Sequence, residues 1–124
     1  YASGEWIARC DSDDVAMPSR FERQMEYLKQ NPEVGVLGSL SWHVGKSHRT
    51  LVQRETTSAR IGCDFLFNIA ITNTTFIAKH DLLKQLAPVY DPEAGYEDYD
   101  LMVRLLGHTV CSNLNEPLML IRHN

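Results

Sequence analysis

Three carboxylates fall within four residues at Asp11-Ser12-Asp13-Asp14, just after the apolar run Trp6-Ile7-Ala8 and its close at Arg9-Cys10. The run reads as a short buried strand, which puts the acids at its C-terminal end. Like charges this close favour protonation of one member, so a fold rarely gains stability by gathering them. The arrangement makes sense around a cation. Hard divalent ions such as Mg²⁺ or Mn²⁺ take carboxylate oxygens and usually share their shell with substrate phosphates. In open α/β sheets, ligands bind beyond the carboxyl ends of the strands. Position and number together point to a metal–phosphate site.

The same four residues are also ordinary turn and helix-cap chemistry. An EF-hand is tested by register. A loop starting at Asp11 places Asp13 and Glu22 correctly. But Val15 replaces a ligand, Ala16 replaces the required glycine and Pro18 interrupts the loop, which excludes that motif.

With 124 residues the chain has the size of one ordinary domain, and 44% apolar residues can supply a core. A net charge of -4 argues against a general nucleic-acid or anionic-membrane binder. No apolar run is long enough to span a bilayer, and no signal peptide is visible. Cys10, Cys63 and Cys111 are scattered and form no C-x-x-C pair, so neither a zinc ribbon nor a disulfide framework is supported. Each is expected to be a small buried residue in a reducing compartment. The opening Tyr1-Ala2-Ser3-Gly4-Glu5 has no initiator methionine and reads as part of a longer polypeptide.

Pro18 suits the start of a helix in which Phe21, Met25 and Leu28 share the inward face, with a stop at Asn31-Pro32. Val34-Gly35-Val36-Leu37-Gly38 reads as a buried strand, with glycines where something approaches closely. Residues 40–44 could continue it or pair with it. Residues 45–56 are polar and aperiodic and read as a mobile loop. A helix opens near Thr57 or Ser58 and turns Ile61, Phe65 and Leu66 inward. Residues 74–78 are β-rich in composition. Residues 81–86 form a short helix ended by Pro88. Another helix begins at Glu97, carries Leu101, Met102, Leu105 and Leu106 at helical spacing, and stops at Gly107. Two short strands near 109–113 and 117–122 close the chain. Helices separate most of the strands, so the fold class is α/β with a partly parallel sheet.

The second acidic cluster, Glu97-Asp98 with Asp100, opens that last helix. Acids in a first turn complement the helix dipole. The functional reading is a carboxylate held rigidly as a general base. A cluster at a strand end for a metal, and one on a later helix for a base, together describe attack on a phosphate-activated substrate.

Here several ordered motifs resemble a known family. Ala2-x-Gly4-Glu5-Trp6-Ile7-Ala8-Arg9-x-Asp11-Ser12-Asp13-Asp14, followed by Pro18-x-Arg20-Phe21-x-x-Gln24, is similar to the middle of a family 2 glycosyltransferase of the GT-A fold. Asn31-Pro32-Glu33-Val34-Gly35-Val36-Leu37-Gly38 fits the segment that follows. Tyr96-Glu97-Asp98-Tyr99-Asp100-Leu101-x-x-Arg104-Leu105 resembles the acidic catalytic motif of that family. Asn115-Glu116-Pro117-Leu118 and Ile121-Arg122-His123 resemble its closing strand.

The resemblance implies inverting transfer of a sugar from a nucleotide-diphosphate donor, a UDP-sugar by preference, to a hydroxyl of a glycan or other acceptor. It implies Asp11 and Asp13 as the D-x-D pair holding Mn²⁺ or Mg²⁺. Asp13 would touch the metal directly, and Asp11 the ribose or the metal's water shell. Asp14 would orient them. Asp98 would be the base, and Glu97 either its orienting neighbour or the base itself. His123 lies where some members place a residue near the diphosphate. Arg20 and Arg104 are either phosphate contacts or solvated ion pairs, and Trp42 either lines an acceptor pocket or packs in the core. Acceptor choice would reside in residues 40–72.

Family members begin with a strand–helix–strand half that holds the nucleotide base. That half is absent, so residues 1–124 correspond to one fragment of the catalytic domain, a partial GT-A fold with a mixed sheet flanked by helices. Uncovered sheet edges imply self-association. The implied location is the cytoplasm, or the cytoplasmic face of a membrane reached through the parent protein. A nucleotidyl- or phosphoryl-transfer enzyme would normally supply a glycine-rich phosphate loop with lysine, which does not occur. A non-catalytic sugar- or protein-binding module would not need the two acidic clusters to converge.

Overall fold

The computed structural model describes residues 2–123. Among these residues one sheet holds six strands: β1 (Trp6–Ala8), β2 (Val15–Ala16), β3 (Val34–Val44), β4 (Arg49–Val52), β5 (Ile77–Lys79) and β6 (Val110–Arg122). Between them lie α1 (Arg20–Gln30), α2 (Ser58–Asp64), α3 (His80–Gln85) and α4 (Glu97–Leu106), with a 3₁₀ turn at Asn73–Thr75. No helix among the described residues is long and apolar enough to cross a membrane.

The apolar run of β3 takes the centre, where a strand covered on both faces belongs. Residues 34–41 are all buried. β6 runs parallel along one edge of β3, from Val34↔Val110 to Val44↔Arg122, with irregularities near Val34, Ser39 and Leu40. The other edge is shared by β5 at Val36–Leu37 and β4 at Ser41–Val44, both antiparallel. β1 pairs antiparallel with β5, and β2 with β6, giving the order β1-β5-β3-β6-β2. The sheet is therefore mixed, as expected.

Strand alternation divides the core in two. Val36 and Ala78 join Ile61, Phe65, Leu83, Leu101, Met102 and Leu105 beneath α2, α3 and α4. Leu37 and Ile77 join Leu28 and Val34 beneath α1. The sheet is the middle of three layers.

Several expectations need correction. α1 buries Arg20, Gln24 and Leu28, whereas Phe21 is 53% exposed. The apolar spacing gave the helix but mistook its face, because two polar side chains take inward positions and satisfy backbone carbonyls there. Residues 45–56 are not a structureless loop. β4 folds back on β3, and the Gly45 N–H donates to the His48 carbonyl at 3.0 Å. The two closing strands are one, β6, bent by its register shifts. Leu66 is exposed, since α2 ends before it. Cys10 and Cys63 are exposed, and only Cys111 is buried. Burial pushes the Cys111 thiol up to about 12.

Gly35 and Gly38 do mark close approaches. A Cβ on Gly38 would run into Asn113 Oδ1 and Ile71 Cγ2. Asn113 cannot yield, because its Nδ2 donates to the carbonyls of Glu55 at 2.8 Å and Ala70 at 2.9 Å. Gly38→Ala is therefore expected to cost about 2 kcal/mol, read as a lower melting temperature. Gly95→Ala, where nothing lies within 4 Å, should leave melting unchanged.

Candidate active site

β1 delivers the first acidic cluster to the edge of the sheet. The Asp11 N–H donates to Thr74 Oγ1 at 3.1 Å, and the Asp14 N–H donates to the Asp11 carbonyl at 3.2 Å, closing the turn. Asp11 and Asp14 are half-buried and Asp13 is exposed. Asp14 Oδ1 accepts the Arg122 backbone N–H at 3.2 Å, so this carboxylate ties the turn to the end of β6.

α4 delivers the second cluster. Glu97 is exposed and Asp98 half-buried in its first turn. Leu101, Met102 and Leu105 anchor the helix in the core. Arg104 makes the ion pair expected of an arginine on a helix face, and it also binds the preceding loop. It pairs with Asp100 at 2.8 Å and donates to the carbonyls of Leu86, Pro88 and Val89, stapling the α3–α4 loop to α4.

Arg9 joins the clusters. Its Nε donates to Asp11 Oδ1 at 3.2 Å and its Nη1 to Asp98 Oδ1 at 3.0 Å. Nη1 also donates to the Tyr90 hydroxyl, and the guanidinium lies 5.3 Å from the Tyr90 ring centroid. Burial works against the Arg9 charge, but Tyr90, Asp98 and Asp11 outweigh it and hold the group above its ordinary pKa. Burial raises the Tyr90 phenol, with Arg9 opposing. Beside this junction opens a cavity of about 700 Å³, walled by Ile7, Phe76, Leu83, Val89 and Leu101, with Arg9 and Tyr90 at its polar end.

Arg20 is fully buried. Its Nη2 donates to the Arg9 carbonyl at 2.8 Å and the Phe76 carbonyl at 3.3 Å, its Nε to Gln24 Oε1 at 3.2 Å and its Nη1 to Met119 Sδ at 3.2 Å. Desolvation lowers its pKa, with partial relief from Cys10. It supports the strand end from beneath and cannot meet a phosphate. Trp42 is half-buried on β3, 4.0 Å from the Arg49 guanidinium carbon on β4.

The donor set suits a hard cation, because Asp11 and Asp13 offer carboxylate oxygens and Mg²⁺ needs only one or two of these beside substrate phosphates. No cluster of three or more His, Cys, Asp or Glu side chains gathers among the described residues.

Sequence reasoning missed Arg9, Tyr90 and Thr74. Arg9 carried a signal, a lone cation between an apolar strand and three acids. Tyr90 and Thr74 carried none, since only the fold brings them near.

The sequence profile of Glycosyl transferase family 2 matches residues 1–91, a span that includes the first acidic cluster and ends before the second. The amylovoran biosynthesis glycosyltransferase AmsE of Erwinia amylovora is 29% identical over 119 residues, covering 94% of this chain and 44% of AmsE. The O-antigen biosynthesis glycosyltransferase WbnJ of Escherichia coli is 31% identical over 110 residues, covering 87% of this chain and 41% of WbnJ. The chain thus spans less than half the length of these relatives. A crystal structure of S. aureus TarS 1-349 in complex with UDP-GlcNAc superposes with a TM-score of 0.72 at 19% identity, covering 99% of this chain and 36% of TarS 1-349. The architecture is that of the GT-A glycosyltransferases.

Close to the first cluster, His43 Nδ1 and His123 Nε2 are 2.7 Å apart, and His43 Nε2 is buried with no partner among the described residues. Burial, then the charges of His123 and Arg54, hold the His43 imidazole below its usual 6.5, with Asp14 pulling the other way. The folded chain therefore binds fewer protons than the unfolded one as pH falls below 6.5. His43 costs no stability above that pH and destabilises progressively beneath it. Melting temperature should fall between pH 7 and pH 5 less steeply in His43→Asn than in the native chain. Parallel curves would contradict this.

Proposed function

The chain belongs to glycosyl transferase family 2, and on that premise we propose that it forms the diphosphate-binding and base-bearing part of an inverting, metal-assisted sugar transferase. One observation carries the reading. A single guanidinium, Arg9, is bound by Asp11 of the first cluster and Asp98 of the second. That shared contact supports one reaction space for the two clusters, as transfer from a donor to an acceptor requires and as a non-catalytic module does not.

Asp13, exposed at the turn, would bind the cation directly, with Asp11 beside it. The cation, when bound, neutralises charge growing on the departing diphosphate. Asp98 takes the proton of the acceptor hydroxyl as its oxygen attacks the anomeric carbon. One displacement breaks the bond to the diphosphate and inverts that carbon. Glu97 borders Asp98 on the same helical turn. Asp14, engaged with the Arg122 N–H, holds the turn in shape. A UDP-sugar donor is supported by the nucleotide sugar named with TarS, and a glycan acceptor by the polysaccharide pathways named with AmsE and WbnJ.

In the full-length protein, Asp98→Asn should lower kcat by about 10²–10⁴-fold while leaving donor binding intact. Asp13→Ala should weaken Mn²⁺-dependent UDP binding, followed by calorimetry. Transfer that survives both substitutions would defeat the proposal.

A further inference from the structure

We propose that Arg9 is a positioning residue for the base. Its guanidinium holds Asp98 by Oδ1 alongside the donor-side carboxylate Asp11 and leaves Asp98 Oδ2 free for the acceptor proton. This rests on the transferase reading above.

The geometry is specific. Nε serves Asp11 and Nη1 serves Asp98, so the planar fork spans two carboxylates from separate elements. An ammonium is a point charge and does not reproduce that span. Arg9 is itself fixed before it reaches either acid. Its N–H donates to the Phe76 carbonyl at 3.1 Å, and its own carbonyl accepts from the buried Arg20 at 2.8 Å. Tyr90 lies against the guanidinium on the remaining side. Asp98 stands in the first turn of α4, and among the described residues Arg9 is the group that holds its carboxylate. Oδ2 has no protein partner among those residues. One oxygen anchored and the other open is the state a base needs at a fixed attack geometry. Small misplacement is costly, since about 1 Å can cost roughly 10²-fold in rate.

The test is a cycle in the full-length protein. UDP release is followed from a panel of UDP-sugars with Mn²⁺, for the native chain, Arg9→Met, Arg9→Lys, Asp98→Asn and the Arg9→Met/Asp98→Asn pair. Arg9→Met should lower kcat about 10²-fold with donor KM within about threefold. Arg9→Lys, which keeps the charge and guards against a folding defect, should fall between. On the Asp98→Asn background, Arg9→Met should change kcat by less than about twofold, because a residue acting through Asp98 has nothing left to position. A raised donor KM at preserved kcat would make Arg9 a diphosphate contact instead and overturn the proposal. Losses that multiply in the double variant would overturn it too. If the native protein releases UDP from no donor, or Asp98→Asn is silent, the transferase reading itself fails and this inference falls with it.

Discussion

A buried polar latch at the base of α1 supports everything at the site. Arg20 and Gln24 point inward, where apolar residues would be expected, and both are fully buried. Gln24 Nε2 donates to the carbonyls of Leu37 at 3.2 Å and Thr75 at 2.9 Å. Arg20 takes the carbonyls of Arg9 and Phe76. These are backbone groups at the end of β1, in β3 and just ahead of β5, so two buried side chains tie the three stretches together. The Phe76 carbonyl also accepts the Arg9 N–H at 3.1 Å, which joins the same point to the site. The latch carries a charge among neutral acceptors. Desolvation weighs on it, and the offset comes from bonds on both arms of the guanidinium.

That support explains why an acidic turn can exist at a strand end without unfolding it. The three carboxylates are separated by what they bind. Asp11 turns toward Arg9, Asp14 toward the Arg122 amide, and Asp13 remains in solvent. Repulsion is reduced by divergence and by the cation that Asp11 binds. The ion pairs of Arg9 are partly exposed and add little to stability. Their consequence is geometric, in that they fix the angle between the two clusters.

Much of this was legible in the sequence. The apolar run of β3 and the helical spacing of Leu101, Met102 and Leu105 carried the α/β class, because hydrophobic period is a local signal, and charge spacing marked the two acidic clusters as candidates. The inward face of α1 was misjudged because Arg20 and Gln24 obey backbone hydrogen bonding and not hydrophobicity. β4 was missed because a short strand with an exposed face shows no apolar run. β6 was divided in two because Asn115-Glu116-Pro117 looks like a turn. Proline is tolerated there where the register against β3 slips, between Ser39↔Leu114 and Leu40↔Pro117. Cys10 and Cys63 were misplaced because apolar neighbours in sequence are not neighbours in space.

Asp98 sits on the element with the weakest sequence claim to rigidity, since α4 follows an exposed loop. Its position is secured from three directions. Leu101, Met102 and Leu105 bury its inner face, Arg104 binds the carbonyls of the preceding loop, and the Tyr99 hydroxyl donates to the Phe65 carbonyl at 2.5 Å. The α3–α4 loop also presents Tyr90 to Arg9, so the staple that orders the loop for Arg104 orders it for the active site as well. α4 and its loop therefore act as one unit with the end of β1. A change in how the loop packs would be felt at Asp98 through Tyr90 and Arg9, because the Tyr90 hydroxyl and Asp98 Oδ1 share one guanidinium nitrogen. Geometry at Asp98 is thus a property of the contact between two distant stretches of chain, and Arg9 is where that contact is made.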